Sequence, residues 1–372
     1  MVGGMDGEGV SGGVAGWAAP AALGAVLEKA VERCRGGCGE DDFDALWQLL
    51  LEARRFGRDA FNAAVGMLAS GDAVERAVGC DLLAKLCNPD EDDWGPEVTL
   101  AVIRLAEGER DADVLWSVAN ALGMARDPRA LPTLVALAGH ADRDVRQQAA
   151  MALPSCEEGS DANLLACALI GLMGDPDEDV RDWATFGLGT QTGIDGPDVR
   201  EALFSRLGDE NVDVRDEALV GLARRHDRRM VAVVAARLDQ EEVGRLAVEA
   251  ASYVADERLT GPLRALRSWW DVDRELLDDA LAACDPERQA RDVEEQTAFL
   301  ALLEPALGGW PGVSATLSCE RLEREVSVVI ERDGQRGWYD FRALVTNRVG
   351  GDLAVAVHAV LSNLARPAEP TG

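Results

Sequence analysis

The sequence predicts an all-α protein, an α-solenoid of stacked helix pairs, with a small α+β element at its C-terminal end. Three observations support this prediction. Asp-Val-Arg, followed three residues later by Ala, recurs around Arg146, Arg181 and Arg215, at intervals of 35 and 34 residues. Such a period is typical of helical repeats that bury their apolar faces against the next copy. Apolar residues between the copies recur at helical spacing, and a β-rich run, Val326–Ile330, follows only near the end.

The N-terminal part of the chain is less regular. Met1–Ala19 is rich in glycine and lacks the basic region and apolar stretch of a secretion signal, so we interpret it as a disordered leader of a cytoplasmic protein. Residues 20–94 are interpreted as degenerate N-terminal helical repeats, and the run 88–93 within them has the composition of a loop. Their apolar residues follow helical spacing over Leu23–Val31, Phe43–Leu51, Ala60–Leu68 and Ala77–Leu86.

Residues 95–285 are predicted to form the regular repeat array. In each unit an apolar first helix, such as Leu131–Leu137, ends at an Asp-rich turn, and a second helix begins near the Val-Arg pair. In the turn at residues 174–177, glycine ends the first helix, and Asp177 or Asp179 can cap the second. The array is therefore expected to be a series of helix pairs with acidic turns.

The motif Val-Arg-x-x-Ala-x-x-x-Leu after a turn Asp is present at Val145–Leu153, Val180–Leu188 and Val214–Leu222. This motif resembles the HEAT repeat, in particular the short bacterial HEAT-like form of phycobilisome lyases. The resemblance covers residues 95–285 well and residues 40–94 loosely, and it implies an α-solenoid of HEAT-like helix pairs. Two units have Leu115 and Gly244 where the Arg belongs, so they are assigned by spacing, with Val114 and Val243 at the Val position. For activity the resemblance is weak, because most such arrays are binding scaffolds.

Residues 286–365 are predicted to form the small α+β element, which either caps the solenoid or is a separate module. A glycine-rich break at residues 308–312 separates a helical segment from strands joined by the hairpin signal Asp333-Gly334. The predicted elements are a helix at Val293–Leu303, strands at Val326–Ile330 and Gly337–Val345, and a closing helix at Leu353–Leu364. Residues 366–372 are expected to be a tail.

The charge restricts the possible partners. The chain has 37 basic and 67 acidic residues, a formal net charge of -30. Binding to nucleic acid depends on Lys and Arg that neutralise phosphates, so neither nucleic acid nor an anionic membrane surface is an expected partner. The acidity either keeps an Ala-rich and Leu-rich solenoid in solution or attracts a basic protein or peptide.

Neither a metal site nor a cofactor site is predicted. Six of the eight cysteines are scattered singly, and Cys34 and Cys38 form the one close pair, without a second pair of ligands at a compact spacing. His140, His226 and His358 stand alone, without the His-Glu pairs that HEAT-like deoxyhypusine hydroxylases use for iron. HEAT-like alkylpurine DNA glycosylases need a basic face, which this acidic chain does not offer. We therefore predict a noncatalytic protein.

The predicted contact residues lie on the second helices, which line the concave face of a HEAT-like array. With Val180, Ala184 and Leu188 in the core, Trp183 and Phe186 fall on the other side of their helix. Aromatic residues and Met supply contact area, and carboxylates select a basic partner. The same register gives the full set of predicted partner-binding residues: Trp116, Ser117, Asn120, Gln147, Gln148, Met151, Asp182, Trp183, Phe186, Asp216, Glu217 and Glu249.

We predict a scaffold that binds a basic protein or peptide, as an adaptor or an immunity-type inhibitor. Three alternatives stay open: Trp183 and Phe186 pack against a neighbouring repeat, the chain is a lyase related to the phycobilin lyases, or the array only organises an assembly. Arg146, Arg181 and Arg215 are expected to hold stacked turns together rather than to bind a ligand. Trp269 and Trp270 form either a seam to the C-terminal element, which we favour, or an adhesive surface. The sequence does not predict an oligomeric state.

Overall fold

Helix pairs make up most of the chain in the computed structural model, and a small three-stranded sheet lies near the C-terminus. The described part of the chain divides into two compact units, with the boundary between Ile194 and Asp195. The predicted domain boundaries at residues 94 and 285 stay predictions. The structure describes residues 19–36, 40–87, 94–308, 312–319, 326–332, 335–341 and 353–364.

The described part of the first unit contains five consecutive helix pairs. Each first helix packs on its second helix, and each second helix packs on the second helix of the next pair. In chain order the helices are α1 (Ala21–Arg35), α2 (Glu40–Arg54), α3 (Arg58–Leu68), α4 (Ala73–Leu86), α5 (Gly95–Ala106), α6 (Ala112–Ala125), α7 (Leu131–Ala138), α8 (Arg143–Ala152), α9 (Ala162–Leu172) and α10 (Glu178–Phe186).

In the second unit, the described residues form three helix pairs followed by a helix-and-sheet element. Helices α12, α14 and α16 pack on one another in order, and α17 contacts α16, α18 and β1. The elements are α11 (Pro197–Arg206), α12 (Val212–Arg224), α13 (Met230–Leu238), α14 (Arg245–Val254), α15 (Thr260–Leu266), α16 (Arg274–Ala283), α17 (Pro286–Leu307), β1 (Val313–Cys319), β2 (Val326–Arg332), β3 (Gln335–Asp340) and α18 (Leu353–Leu364).

Turn carboxylates start the second helices, as the motif predicts. The side chains of Asp72, Asp111, Asp142 and Asp177 accept hydrogen bonds from amides in the first turns of α4, α6, α8 and α10. Of the two candidates in the turn before α10, Asp177 is therefore the cap. This cap satisfies amides that lack an intrahelical partner and places negative charge at the positive end of the helix dipole.

The motif arginines stabilise turns. Arg146 donates from Nε and Nη2 to the two oxygens of Asp175 at 2.7 and 3.0 Å, and from Nη1 to backbone carbonyls of its own turn. Asp175 belongs to the turn of the next repeat, so the bond joins two repeats. Arg181 and Arg215 donate in the same way to carbonyls of their own turns. These bonds support the prediction that the motif arginines hold turns together.

Close approach between second helices depends on a small residue in α6. A Cβ placed on Gly123 would lie 2.9 Å from the Cβ of Ala152 in α8, which is below any ordinary contact distance. The backbones of α6 and α8 can therefore approach closely only with glycine at residue 123.

The sheet is antiparallel, with strand order β1-β2-β3. Its packed face meets α17 and α18 in a core that includes Phe299, Val328, Ile330 and Phe341. The rings of Phe299 and Phe341 meet edge to face, with centroids 5.2 Å apart. The predicted α+β element is confirmed. The sheet has one strand more than the two predicted: β1, for which the sequence showed no strand signal.

Some predictions need correction. The Val position assigned to Val243 is wrong, because Gly244 is the residue before the first turn of α14 and Val243 precedes the helix. Trp269 and Trp270, which were predicted to form a seam to the C-terminal element together, differ in burial. Trp270 is buried and donates from Nε1 to the carbonyl of Val243 at 2.7 Å, whereas Trp269 is exposed. Several predicted features lie outside the described residues: the leader Met1–Ala19 except for Ala19, Cys38, the loop 88–93, Trp310, the turn Asp333-Gly334 and the tail at residues 366–372.

Candidate partner-binding face

The second helices share one register, counted from the residue that caps each helix. In α8, capped by Asp142, the third, seventh and eleventh positions are Val145, Ala149 and Leu153, all fully buried. The corresponding positions of α10 are fully buried as well. At about 100° of rotation per residue, the fifth and ninth positions then lie opposite the core.

The fifth and ninth positions of α6, α8 and α10 carry side chains that solvent can reach. We call these positions of the three helices the second-helix face. The face combines two aromatic rings, two amides, a methionine and a carboxylate, each half-buried except for the exposed Met151: Trp116, Asn120, Gln147, Met151, Asp182 and Phe186. Because α6 packs on α8 and α8 on α10, the six side chains lie on the same side of three neighbouring helices.

Phe186, at the ninth position of α10, contacts Trp183, which occupies the sixth position and lies beside this face. Their rings meet edge to face, with centroids 5.9 Å apart and planes at 76°. Both side chains are half-buried, so part of each ring faces solvent and part packs. The predicted placement outside the core therefore holds, and their contact with a partner stays a prediction.

Two predicted contact residues are buried. Ser117 is 3% exposed and Gln148 is 7% exposed. Both occupy the sixth position after the cap, which lies on the flank of the helix rather than opposite the core. Because neighbouring second helices pack against such flanks, the expectation that these two residues face a partner directly is wrong.

The structure adds a residue that the sequence analysis missed. Asp81 occupies the ninth position of α4, and its Oδ1 is buried without a hydrogen-bond donor among the described residues. Burial raises the pKa of Asp81 to about 6, against the opposing effects of Ser117, Lys85 and Asn120. Counting nine residues from Asp72 finds this position, but Glu75 stands in α4 where the motif has valine, so the motif does not mark this repeat.

In the second unit, two predicted charge selectors are ion-paired within the chain. Asp216 accepts a hydrogen bond from Nη2 of Arg237 at 2.6 Å, and Glu249 accepts one from Nη1 of Arg245 at 3.0 Å. The third, Glu217, is half-buried. An incoming cation would have to compete with Arg237 and Arg245, so these carboxylates offer less negative potential than their number indicates.

Comparison with known proteins identifies the repeats. A model of the HEAT repeat family matches residues 61–154 and 167–253. The protein contains HEAT repeats. The matched segments include α4, α6, α8, α10, α12 and α14, so the second-helix face belongs to HEAT repeats.

Protein YibA of Escherichia coli strain K12 is 28% identical to this chain over 235 residues, which are 61% of this chain and 80% of YibA. The X-ray structure of the E. coli YibA protein is similar at a TM-score of 0.54 and 23% identity, covering 71% of this chain and 95% of that chain, so the two share the HEAT fold. The complex of CpcE and CpcF of phycocyanin lyase from Nostoc sp. PCC7120 is more distant, with a TM-score of 0.38, 18% identity and coverage of 60% and 93%.

His140 lies in a turn, and His226 lies just after the end of a helix. His140 accepts a hydrogen bond at Nδ1 from the amide of Asp142 at 3.1 Å, so it forms part of the turn before α8. His226 follows the end of α12 and has a positive φ of 50°. The described residues contain no group of three or more His, Cys, Asp or Glu side chains placed to hold a metal ion. In the described part of the chain, no helix has the length and apolar character needed to cross a membrane.

Proposed function

We propose that this HEAT-repeat protein is a noncatalytic scaffold that binds a basic protein or peptide on its second-helix face. The observation that carries the proposal is the set of partly accessible Trp, Phe and Met side chains at positions opposite the core on three neighbouring helices. A helix face that only meets solvent carries mainly charged and small polar residues. Large rings and methionine are instead enriched where proteins bind one another.

Charge supports a basic partner. With a formal net charge of -30, the molecule attracts cationic surfaces and repels phosphate backbones. Asp182 lies on the second-helix face next to Trp183 and Phe186, so a carboxylate accompanies the rings. We propose that the rings supply contact area and the carboxylates select the partner, as in an adaptor or an inhibitor that neutralises a basic protein in the cytoplasm.

The test is site-specific photo-crosslinking in cells of the native host. A photoreactive phenylalanine analogue replaces Met151 on α8, which is 36% exposed. The matched control places the same analogue at Leu164 on α9, the first helix of its pair, which is 38% exposed. We expect one dominant protein adduct from residue 151, identified by mass spectrometry, and no such adduct from residue 164.

A second arm repeats the crosslinking at residue 151 with Trp183→Ala and Phe186→Ala added, after circular dichroism has shown that the helices are retained. The proposal expects the adduct to disappear, because both rings lie on the helix next to α8. Equal adducts at residues 151 and 164, or an adduct that persists without the two rings, would contradict binding at the second-helix face.

A further inference from the structure

A half-buried aspartate, one of whose carboxylate oxygens is fully buried, lies between α4 and α6. Asp81 is on α4, and the side chains of Ser117 and Asn120 interact with its carboxyl group from α6. Its Oδ1 is nevertheless buried without a hydrogen-bond donor among the described residues. A buried carboxylate oxygen without a donor loses the solvation it has in water and gains no bond in return, so such an oxygen is rare unless a ligand completes it.

A cation already lies near this carboxylate. Lys85 follows Asp81 by one turn of α4, and its Nζ lies over the ring of Trp47 in α2, 2.8 Å from the ring centroid. The ammonium acts on Asp81 through its charge but does not donate to Oδ1. Burial lowers the pKa of Lys85 to about 8, against the opposing charge of Asp81, so the surroundings disfavour this ammonium.

The surroundings are suited to a planar or aliphatic cation from another molecule. Trp47, over which the Lys85 ammonium lies, is 41% exposed, and Asn120, which interacts with the Asp81 carboxyl group, is half-buried on α6. A ring therefore lies beside the ammonium, and an amide lies beside the carboxylate. Aromatic faces attract cations, and a guanidinium can donate to a carboxylate while it stacks on a ring. Lys85 has a flexible four-carbon stem, so it can move aside to admit such a group.

We propose that Asp81 is the receptor for an arginine or lysine side chain of a basic peptide, whose cation donates to Oδ1 while Lys85 withdraws. The inference rests on the proposed function and names the chemistry that the face recognises. In the unliganded protein the Lys85 ammonium takes the place of the partner's cation and neutralises part of the Asp81 charge. The partner's cation forms the hydrogen bond that Lys85 does not form.

The test measures binding of a fluorescent ten-residue peptide of alternating alanine and arginine by anisotropy. Asp81→Asn keeps the shape and removes the charge, and we expect its affinity to fall about tenfold or more, because a buried charge pair loses one partner. Lys85→Met removes the competing ammonium, and we expect tighter binding, several-fold. Effects of opposite sign from two residues of one helix are not produced by general loss of folding.

The matched protein control is Asp59→Asn, which makes the same change of charge at an exposed position of α3, the first helix of the same pair. It is expected to leave the affinity unchanged. The matched peptide control replaces arginine with citrulline, its neutral isostere, and is expected to bind no better to wild type than to Asp81→Asn. Unfolding of each variant is followed by circular dichroism.

Three results would overturn the inference: equal losses in Asp81→Asn and Asp59→Asn, weaker binding in Lys85→Met, or competition by free arginine amide at the concentration at which the peptide competes. Crosslinking from residue 151 does not involve Asp81. If Asp81→Asn binds like wild type while that crosslink persists, the cation receptor is refuted and the binding scaffold is retained. If the crosslink also fails, the proposed function fails with it.

Discussion

At the scale of single residues, the folded structure disfavours the ionised form of Asp81. Its Oδ1 has no hydrogen-bond donor among the described residues, and burial raises its pKa from the usual 3.8 to about 6. Since the folded state holds this proton up to a higher pH than the unfolded state does, Asp81 lowers the free energy of unfolding as the pH rises from about 4 to 6. The same residue is the proposed cation receptor, where a bound cation would offset this loss of stability.

We therefore predict that Asp81→Asn is more stable than wild type at neutral pH. Removing the ionised carboxylate should raise the free energy of unfolding by about 2 kcal/mol at pH 7, and the gain should shrink toward pH 4, where the wild-type carboxyl group is protonated in the folded state. Urea unfolding of both proteins at pH 4, 5.5 and 7 measures the difference. A variant that is less stable than wild type at pH 7 would show that Asp81 contributes a net stabilising interaction.

At the scale of elements, carboxylates in turns join consecutive repeats. Glu109, in the turn before α6, accepts hydrogen bonds from Nε and Nη2 of Arg76 in α4 at 2.6 and 3.1 Å, and from the amides of Arg110 and Asp111. Arg146 and Asp175 repeat this arrangement between α8 and the turn before α10. An arginine–carboxylate pair therefore joins consecutive repeats at two points of the first unit.

The acid sensitivity of this link can be predicted. Burial tends to raise the pKa of Glu109, but the bonds from Arg76 and the turn amides outweigh it and lower the pKa to about 2. Its stabilisation is thus complete above about pH 4.5 and is lost as the pH falls toward 2. We expect Glu109→Gln to reduce the free energy of unfolding by about 2 kcal/mol at pH 7 and to differ little from wild type near pH 2, as measured by urea unfolding.

The control for this prediction is Glu97→Gln. Glu97 also accepts two hydrogen bonds from one arginine, Arg58, at 2.7 and 2.9 Å, but both side chains are about half exposed. Solvent screens such a pair, so its loss should change stability much less than the loss of the Glu109 link. Equal effects from the two substitutions would show that burial of the link is not what makes it strong.

What the sequence could predict differs between elements and surfaces. The spacing of Val145, Ala149 and Leu153 predicts the helix pairs and their core, because burial of every third or fourth residue follows from helical geometry alone. Burial of Ser117 and Gln148 depends on the neighbouring helix that covers the flank, which one helix's sequence does not contain. Asp81 was missed for the same reason: the burial of its Oδ1 depends on the packing of neighbouring side chains, and in an acidic sequence one more carboxylate gives no signal.

At the scale of the whole molecule, the net charge of -30 acts at longer range than any single contact. Carboxylates that are paired within the chain, such as Glu109 and Asp216, already face an arginine in the described structure. The long-range field comes from the excess of 67 acidic over 37 basic residues, which remains after all such pairs are made. On the proposed function, this field would speed the approach of a cationic partner, whereas contacts at the second-helix face and Asp81 would set the dissociation rate.

This division predicts how salt acts on binding. For the alternating alanine and arginine peptide, we expect the association rate constant to fall roughly tenfold or more between low and high ionic strength, because salt screens the long-range field. The dissociation rate constant should change much less, since Oδ1 of Asp81 is buried and salt would screen a cation bound to it poorly. Stopped-flow anisotropy at several salt concentrations separates the two rates. Asp81→Asn should dissociate faster and associate at nearly the wild-type rate, and a variant that instead slowed association would place the role of Asp81 in attraction at a distance rather than in the bound complex.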